Sequence, residues 1–177
     1  MNIRPFKNTT PSIGHRVYVD PSAVLIGDVE IGEDSSVWPQ AVIRGDMHNI
    51  RIGARTSIQD GCVLHITHAG PFNENGWPLS IGSDVIVGHR AILHGCEISD
   101  RVLIGNGTIV MDGAIIEADV VVGANTLVPP GKRLKTGHLY IGSPCRQVRA
   151  LNDKEMAFFT YSSANYVSLK NEYLASR

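Results

Sequence analysis

Apolar residues recur at every sixth position along most of this chain of 177 residues, and this period restricts the possible folds more than any other feature. Ile81, Val87 and Leu93 mark successive steps of six, and glycines directly follow the first two, as Gly82 and Gly88. Neither an amphipathic helix nor an alternating strand has this period. It is typical of hexapeptide solenoids, in which each hexad contributes one short strand and one corner. We therefore predict an all-β solenoid, a parallel β-helix of hexapeptide repeats.

The repeat also predicts which residues form the core. Three hexads make one triangular coil of about eighteen residues. Apolar residues from successive coils should therefore stack into three continuous inner columns. The predicted columns are Ile31/Ile52/Ile81/Ile98/Ile116, Val37/Ile58/Val87/Ile104/Val122 and Ile43/Leu64/Leu93/Val110/Val128.

Two segments depart from the repeat. Residues 67–79 are dense in turn formers and are predicted to form a loop at one corner, which is either a functional loop or a tolerated insertion. Near the C-terminus, Asn152 followed by acidic residues predicts the start of a helix. We therefore expect one domain, with the β-helix over residues 1–150 and a helix over residues 151–177 packed on it.

Composition excludes several classes of function. The net charge of −1 provides no electrostatic attraction for nucleic acid. No apolar stretch has the length of a membrane span, and the N-terminus lacks the apolar core of a signal peptide. The three cysteines, Cys62, Cys96 and Cys145, are an odd number without disulfide spacing. Free thiols in a reducing compartment fit this usage, so we expect a cytoplasmic protein.

Two histidines follow members of the third column, His65 after Leu64 and His94 after Leu93, so their imidazoles should occupy the same position on adjacent coils. Adjacent strands lie about 4.8 Å apart, and both rings could reach one metal ion at about 2.1 Å. A single histidine is usually a surface residue or an internally bonded one, but a pair in register favours a metal site. His89 lies around a corner, in a different position of its hexad, and a neighbouring subunit of a cyclic oligomer could supply it to the same ion.

The same alignment predicts one polar cluster on this part of the solenoid. Its members are Arg44, Asp46, Gln59, Asp60, His65, His89 and His94.

The order and spacing of these residues resemble those of a known family. Arg44-Gly45-Asp46, Gln59-Asp60-x4-His65 and His89-x4-His94 are similar to the motif set of the gamma-class carbonic anhydrases, and especially of their bacterial gamma-carbonic-anhydrase-like members. The resemblance extends over residues 10 to 175. It implies a left-handed β-helix and a homotrimer with metal sites between subunits. His65 and His94 of one chain and His89 of the next would be the metal ligands.

The resemblance also implies roles for the other polar residues. Gln59 corresponds to the side chain that orients metal-bound water or hydroxide, and Asp60 to an acid that supports the site at the interface. Arg44 and Asp46 correspond to an ion pair that joins subunits beside the site, with a purely structural bridge as the alternative.

The C-terminal helix offers two further candidates. Tyr161 and Asn165 share one face of the predicted helix by their spacing of four. The family places a tyrosine and an asparagine of this helix near its site, so these two are candidate substrate-side residues, with helix packing as the alternative role. Tyr166 is interpreted as a packing residue.

The implied reaction is the reversible hydration of CO₂ to bicarbonate by hydroxide bound to Zn²⁺, and Fe²⁺ or Co²⁺ would also accept three imidazoles. Met47 stands where the archaeal members carry an acid that shuttles protons, so activity is expected to be weak or conditional. Two alternatives remain on the same scaffold. One is a metal-dependent acyl-thioesterase or an acyltransferase, and the other is a non-catalytic trimeric metal-binding protein.

Overall fold

The chain forms a parallel β-solenoid of about eight turns with a single C-terminal helix, and the computed structural model describes residues 2–176. The strands and the helix are β1 (Asn2–Arg4), β2 (Ser12–Ile13), β3 (Tyr18–Val19), β4 (Val24–Ile31), β5 (Ser36–Val37), β6 (Val42–Ile52), β7 (Ser57–Ile58), β8 (Val63–His65), β9 (Leu79–Ile81), β10 (Ile86–Val87), β11 (Ile92–His94), β12 (Glu97–Ile98), β13 (Val102–Ile104), β14 (Ile109–Val110), β15 (Ile115–Ile116), β16 (Val120–Val122), β17 (Leu127–Val128), β18 (Arg133–Leu134), β19 (His138–Gly142), β20 (Cys145–Ala150) and α1 (Asp153–Ala175).

The strands form two sheets around the triangular core. The larger sheet has 12 strands and covers two sides of the solenoid, because β4 and β6 continue through the corner between them. The smaller sheet has 8 strands, in the order β20-β19-β16-β13-β10-β7-β5-β3. Its terminal strands β19 and β20 pair in antiparallel fashion, which ends the parallel stacking.

The three predicted core columns are confirmed. In the first, Ile52 aligns with Ile81, in the second, Ile58 aligns with Val87, and in the third, Leu64 aligns with Leu93. All of these side chains are buried. Because side chains alternate along a strand, the residues on either side of each core residue must point outward. This alternation places the histidines that follow Leu64 and Leu93 on the outer surface.

Close stacking of successive coils explains one row of glycines. A methyl group placed on Gly53 would lie 2.5 Å from the carbonyl carbon of Gly82 and 2.6 Å from the backbone nitrogen of Ser83. Both neighbours are backbone atoms of the next coil, so they cannot move aside without separating the coils.

The predicted loop leaves the solenoid and returns to it. Thr67 and Trp77 donate backbone hydrogen bonds to each other's carbonyl oxygens, at 3.0 and 2.8 Å. The following strand begins at Leu79, one residue inside the predicted loop of 67–79, because Leu79 is buried and pairs with Ile50. The base of the loop is therefore held as a short antiparallel bridge beside the coil.

The C-terminal helix begins where the sequence predicts it. Asn152 accepts a hydrogen bond from the backbone nitrogen of Glu155 at 3.0 Å, and the Glu155 carboxylate accepts one from the backbone nitrogen of Asn152 at 2.9 Å. This reciprocal pair satisfies two backbone donors that the first turn would otherwise leave unpaired.

The helix packs against the smaller sheet through aromatic side chains. The Tyr173 ring lies 5.2 Å from the rings of Tyr18 and Trp38, and Tyr166 lies 6.1 Å from Trp38. The Lys170 side chain is fully buried in the same contact. Over residues 2–176, no helix combines the length and the apolar character that crossing a bilayer requires.

Candidate metal centre

The pairing predicted for two histidines is observed. His65 ends β8 and His94 ends β11, and the two residues are directly aligned in neighbouring parallel strands. Their side chains turn toward each other, with Nδ1 of His65 3.1 Å from Nε2 of His94.

Each of these rings has a carboxylate beside its other nitrogen. Asp46 Oδ1 lies 3.1 Å from Nε2 of His65, and Asp112 Oδ1 lies 2.6 Å from Nδ1 of His94. Histidines that bind metal ions commonly donate their second ring nitrogen to a carboxylate in this way, which orients the ring.

The distance between the two facing nitrogens agrees with a shared cation. Two nitrogens bound at 2.0 to 2.1 Å to one tetrahedral ion lie about 3.3 Å apart, close to the separation of His65 and His94. These residues therefore fit a divalent cation that prefers imidazole ligands.

Burial favours the neutral, metal-binding form of His65. Burial lowers the pKa of His65, and the positive charge of Arg44 lowers it further, while Asp46 acts in the opposite direction. Burial raises the pKa of Asp46, but hydrogen bonds from Arg44 and His65 outweigh it and leave the pKa below its usual value. Arg44 forms a short ion pair with Asp46 of the same chain.

His89 lies elsewhere, on the turn between β10 and β11. Its Nδ1 is 3.0 Å from Oδ2 of Asp60, the residue aligned with it on the preceding coil, and about half of each side chain is exposed. The pair lines an open cleft of about 670 Å³ together with Arg90 and Asn106. Between residues 2 and 176 of the single chain, no three histidine, cysteine or acidic side chains converge on one metal position.

The predicted cluster of seven residues is therefore divided within one chain. Asp46 stands beside His65, which faces His94, whereas Asp60 stands beside His89. Within an isolated protomer the prediction of one cluster is wrong, because a corner of the solenoid separates His89 from His94.

Gln59 contacts the C-terminal helix. Its side chain is 5% exposed, and its Nε2 donates a hydrogen bond of 2.7 Å to the hydroxyl oxygen of Tyr166. Burial raises the pKa of Tyr166, and the negative charge of Asp60 adds to this effect. Gln59 and Tyr166 thus belong to the same side of the molecule as Asp60 and His89.

The helix residue beside Gln59 differs from the two that the sequence suggested. Tyr161 is 66% exposed, and Asn165 is also exposed. Tyr166, interpreted as a packing residue, does pack against Trp38, but it also reaches Gln59. Helical spacing groups residues on a face and does not tell which face meets the solenoid.

The sequence interpretation assigned no site role to Asp112 or Thr67. Thr67 Oγ1 donates a hydrogen bond of 2.7 Å to Asp112 Oδ2, while Asp112 Oδ1 faces His94. Asp112 lies 18 residues after His94. That distance is one coil of a hexapeptide solenoid, so the repeat itself contained a signal for this contact.

Comparison with known proteins places the chain in a family. Residues 10–45 match the family described as "Bacterial transferase hexapeptide (six repeats)". Protein YrdA of Escherichia coli is 55% identical over 172 residues, which cover 97% of this chain and 94% of that protein. The mitochondrial gamma carbonic anhydrase 2 of Arabidopsis thaliana is 38% identical over 160 residues, covering 90% of this chain and 57% of the plant protein.

A solved structure agrees with these similarities. The crystal structure of a hexapeptide transferase family protein from Anaplasma phagocytophilum is 34% identical, with a TM-score of 0.89 and 97% coverage of both chains. Together with the near full-length match to YrdA, this likeness means that the chain belongs to the gamma-carbonic-anhydrase-like family of hexapeptide-repeat proteins.

Proposed function

We propose that this protein is a metal-dependent, carbonic anhydrase-like enzyme that catalyses the reversible hydration of CO₂ to bicarbonate. The observation that carries the proposal is the pair of facing nitrogens of His65 and His94, 3.1 Å apart and each backed by a carboxylate. Such a pair would supply two ligands of a metal site, and the similarity to plant gamma carbonic anhydrases supports CO₂ hydration as the reaction.

The third ligand in this proposal is His89 of the partner subunit. His89 directs Nδ1 at Asp60 and is half exposed, so its Nε2 is available to a neighbouring molecule. A cyclic homotrimer would repeat the same contact three times and complete three equivalent sites.

An apolar stripe beside the histidines supports this assembly. Val63 and Ile92 are aligned with each other, precede His65 and His94 by two residues, and are 41% and 38% exposed. Alternate residues of a strand share a face, so the stripe and the two histidines lie on the same surface. The aligned members of the stripe are Val24, Val42, Val63, Ile92, Ile109 and Leu127. A partner subunit would remove these side chains from water.

The residues of the proposed site would have different roles. His65, His94 and the partner's His89 would hold the ion, preferably Zn²⁺ although Fe²⁺ and Co²⁺ also accept imidazole, and would leave one coordination position open. When bound, such an ion activates water for attack on CO₂, since it lowers the pKa of the water to about 7. One hydrogen of the Gln59 amide nitrogen is donated to Tyr166, and its Oε1 would accept a hydrogen bond from water or bicarbonate and so orient it.

One observation favours a second candidate function, acyl transfer or thioester hydrolysis. His94 and Asp112 have the arrangement of a general base oriented by a carboxylate. The Anaplasma protein is described as a member of the hexapeptide transferase family. CO₂ hydration by the protein reconstituted with Zn²⁺, Fe²⁺ or Co²⁺ should therefore be measured beside a panel of short acyl-thioesters. We expect turnover of CO₂, and turnover of the thioesters alone would favour the second candidate.

Metal binding is the most direct test of the site. Plasma mass spectrometry of the purified protein should find about one transition ion per chain, and His65→Ala or His94→Ala should abolish it, because each removes one ligand. His138→Ala is the matched control, since His138 lies on β19 and bonds the Thr136 carbonyl oxygen. Unchanged metal content in both ligand variants would contradict the proposal.

A mixing experiment tests whether the site is shared between subunits. His65→Ala and His89→Ala homotrimers should each lack metal, but in mixed trimers one protomer supplies the intact pair and its neighbour supplies the intact His89. Random exchange of equal amounts should restore about a quarter of the sites. No restored binding after verified subunit exchange would contradict the shared site.

A further inference from the structure

We propose that the loop of residues 67–77 positions a metal ligand: acting through Asp112, Thr67 holds His94 in the tautomer that leaves its Nε2 free for the cation. This inference rests on the proposed metal site and assigns a role to a loop that the reaction itself does not explain.

The carboxylate of Asp112 has both oxygens in use. Oδ1 lies 2.6 Å from Nδ1 of His94, and Oδ2 accepts the Thr67 hydroxyl at 2.7 Å. An ionised carboxylate only accepts hydrogen bonds, so the hydrogen of the neutral ring must reside on Nδ1 of His94. Nε2 then carries the lone pair, and this nitrogen is the one that faces His65.

Asp112 needs a second partner to stay in this orientation. Its side chain is 27% exposed, so water can compete for the carboxylate and allow it to rotate away from His94. The Thr67 hydroxyl restricts this rotation by engaging the opposite oxygen. Thr67 is itself held by its two backbone hydrogen bonds with Trp77.

The packing around two glycines brings the loop to this place. A methyl group on Gly95 would lie 2.5 Å from Asp112 Oδ1 and 2.7 Å from the Cβ atom of Trp77, and one on Gly113 would lie 2.9 Å from the Trp77 ring. Both glycines also have positive φ angles, of 54° and 68°. The coil therefore has no side chain at the two glycine positions where the loop and Asp112 approach it.

Three variants test this arrangement. Thr67→Val keeps the shape of the side chain and removes the hydroxyl, and Asp112→Asn removes the charge. Thr67→Ser retains the hydroxyl and serves as the conservative variant. The Zn²⁺ dissociation constant, measured by competition with a chelator, should rise about tenfold for Thr67→Val and at least as much for Asp112→Asn. Thr67→Ser should bind Zn²⁺ with the affinity of the wild-type protein.

A second readout does not depend on metal. Nitrogen–proton correlation spectra of the metal-free protein should show hydrogen on Nδ1 of His94 in the wild type and in Thr67→Ser. In Thr67→Val and Asp112→Asn the ring should become a mixture of tautomers, a change that a merely structural loop contact would not produce.

Thr126→Val is the matched control. The buried Thr126 hydroxyl has no hydrogen-bond partner among the described residues, so its removal should change neither affinity nor tautomer. Wild-type affinity and an unchanged His94 tautomer in Thr67→Val would overturn the inference alone. A wild-type protein that binds no Zn²⁺ would overturn the proposed function and this inference with it.

Discussion

At the scale of single residues, every proposed metal ligand has its own carboxylate. The three pairs are His65–Asp46, His89–Asp60 and His94–Asp112. Because a carboxylate beside one ring nitrogen selects the tautomer, it decides which nitrogen remains for a metal ion. The sequence motifs named the first two acids as site residues, whereas Asp112 lies outside those motifs, although the step of 18 residues from His94 puts it one coil further on.

A cluster of charges around the buried Lys170 should make stability depend on pH. Lys170 donates hydrogen bonds of 2.7 Å to Asp34 and to the Arg16 carbonyl oxygen. The Arg16 side chain, and then Lys170, hold the pKa of Asp34 at about 2, against the opposing effect of burial. This pKa is below the value of about 3.9 in an unfolded chain. Ionised Asp34 therefore stabilises the fold above pH 4, and the contribution is lost as pH falls toward 2.

Asp34→Asn tests this dependence. The substitution should lower the free energy of unfolding at pH 7 clearly more than at pH 2.5, measured by urea denaturation at both pH values. Glu74→Gln, in the exposed part of the loop, is the control and should have little effect at either pH. An equal loss at the two pH values for Asp34→Asn would show that its ionised form does not stabilise the protein.

At the scale of the elements, the hexad period predicted the strands and their alignment. One apolar residue in each hexad faces the core, so the alignment of Ile52 with Ile81 or of Leu64 with Leu93 follows from counting. The loop of residues 67–79, which lies between Leu64 and Leu93 along the chain, follows no such rule. Its base is held by the Thr67–Trp77 bridge, a contact that the turn-forming composition of residues 67–79 does not encode.

The stacked glycines offer a test at this scale. Gly53→Ala places a methyl group 2.5 Å from the backbone of the next coil, so we expect a loss of roughly 1–3 kcal/mol in unfolding free energy from overpacking. Gly70→Ala is a suitable control, because its nearest neighbour would be the end of the His68 side chain at 3.3 Å. Equal stability of the two variants in urea denaturation would contradict the close stacking.

At the scale of the whole molecule, the proposed metal site is incomplete within a single chain. Two histidines lie beside an exposed apolar stripe on one surface, and the third lies across a corner beside an open cleft. Assembly of copies around a threefold axis would bury the stripe and unite the ligands in one step. The proposed metal site and the proposed oligomer therefore depend on each other.

Charged residues introduced into the apolar stripe should dissociate the proposed trimer and, as a consequence, abolish metal binding. Val63→Arg combined with Ile92→Arg keeps all three histidines but places two buried, unpaired charges in the proposed interface. Light scattering should show a monomer in place of a trimer, and metal content should fall with it. Val148→Arg is the control, since Val148 is 54% exposed on β20 and lies outside the stripe. A monomer that retains full metal content would refute the shared site.

The sequence by itself determined the solenoid, its three core columns and the pairing of His65 with His94. These features follow from a local period, because the distance along the chain between neighbouring coils sets which residues align. Only the tertiary structure decided that Thr67 returns to hold Asp112 and that Tyr166 rather than Tyr161 meets Gln59. The last contact joins residues 107 positions apart. The Thr67 contact depends on how the loop returns, and the Tyr166 contact depends on which face of the helix packs against the sheet. No periodicity in the sequence specifies either.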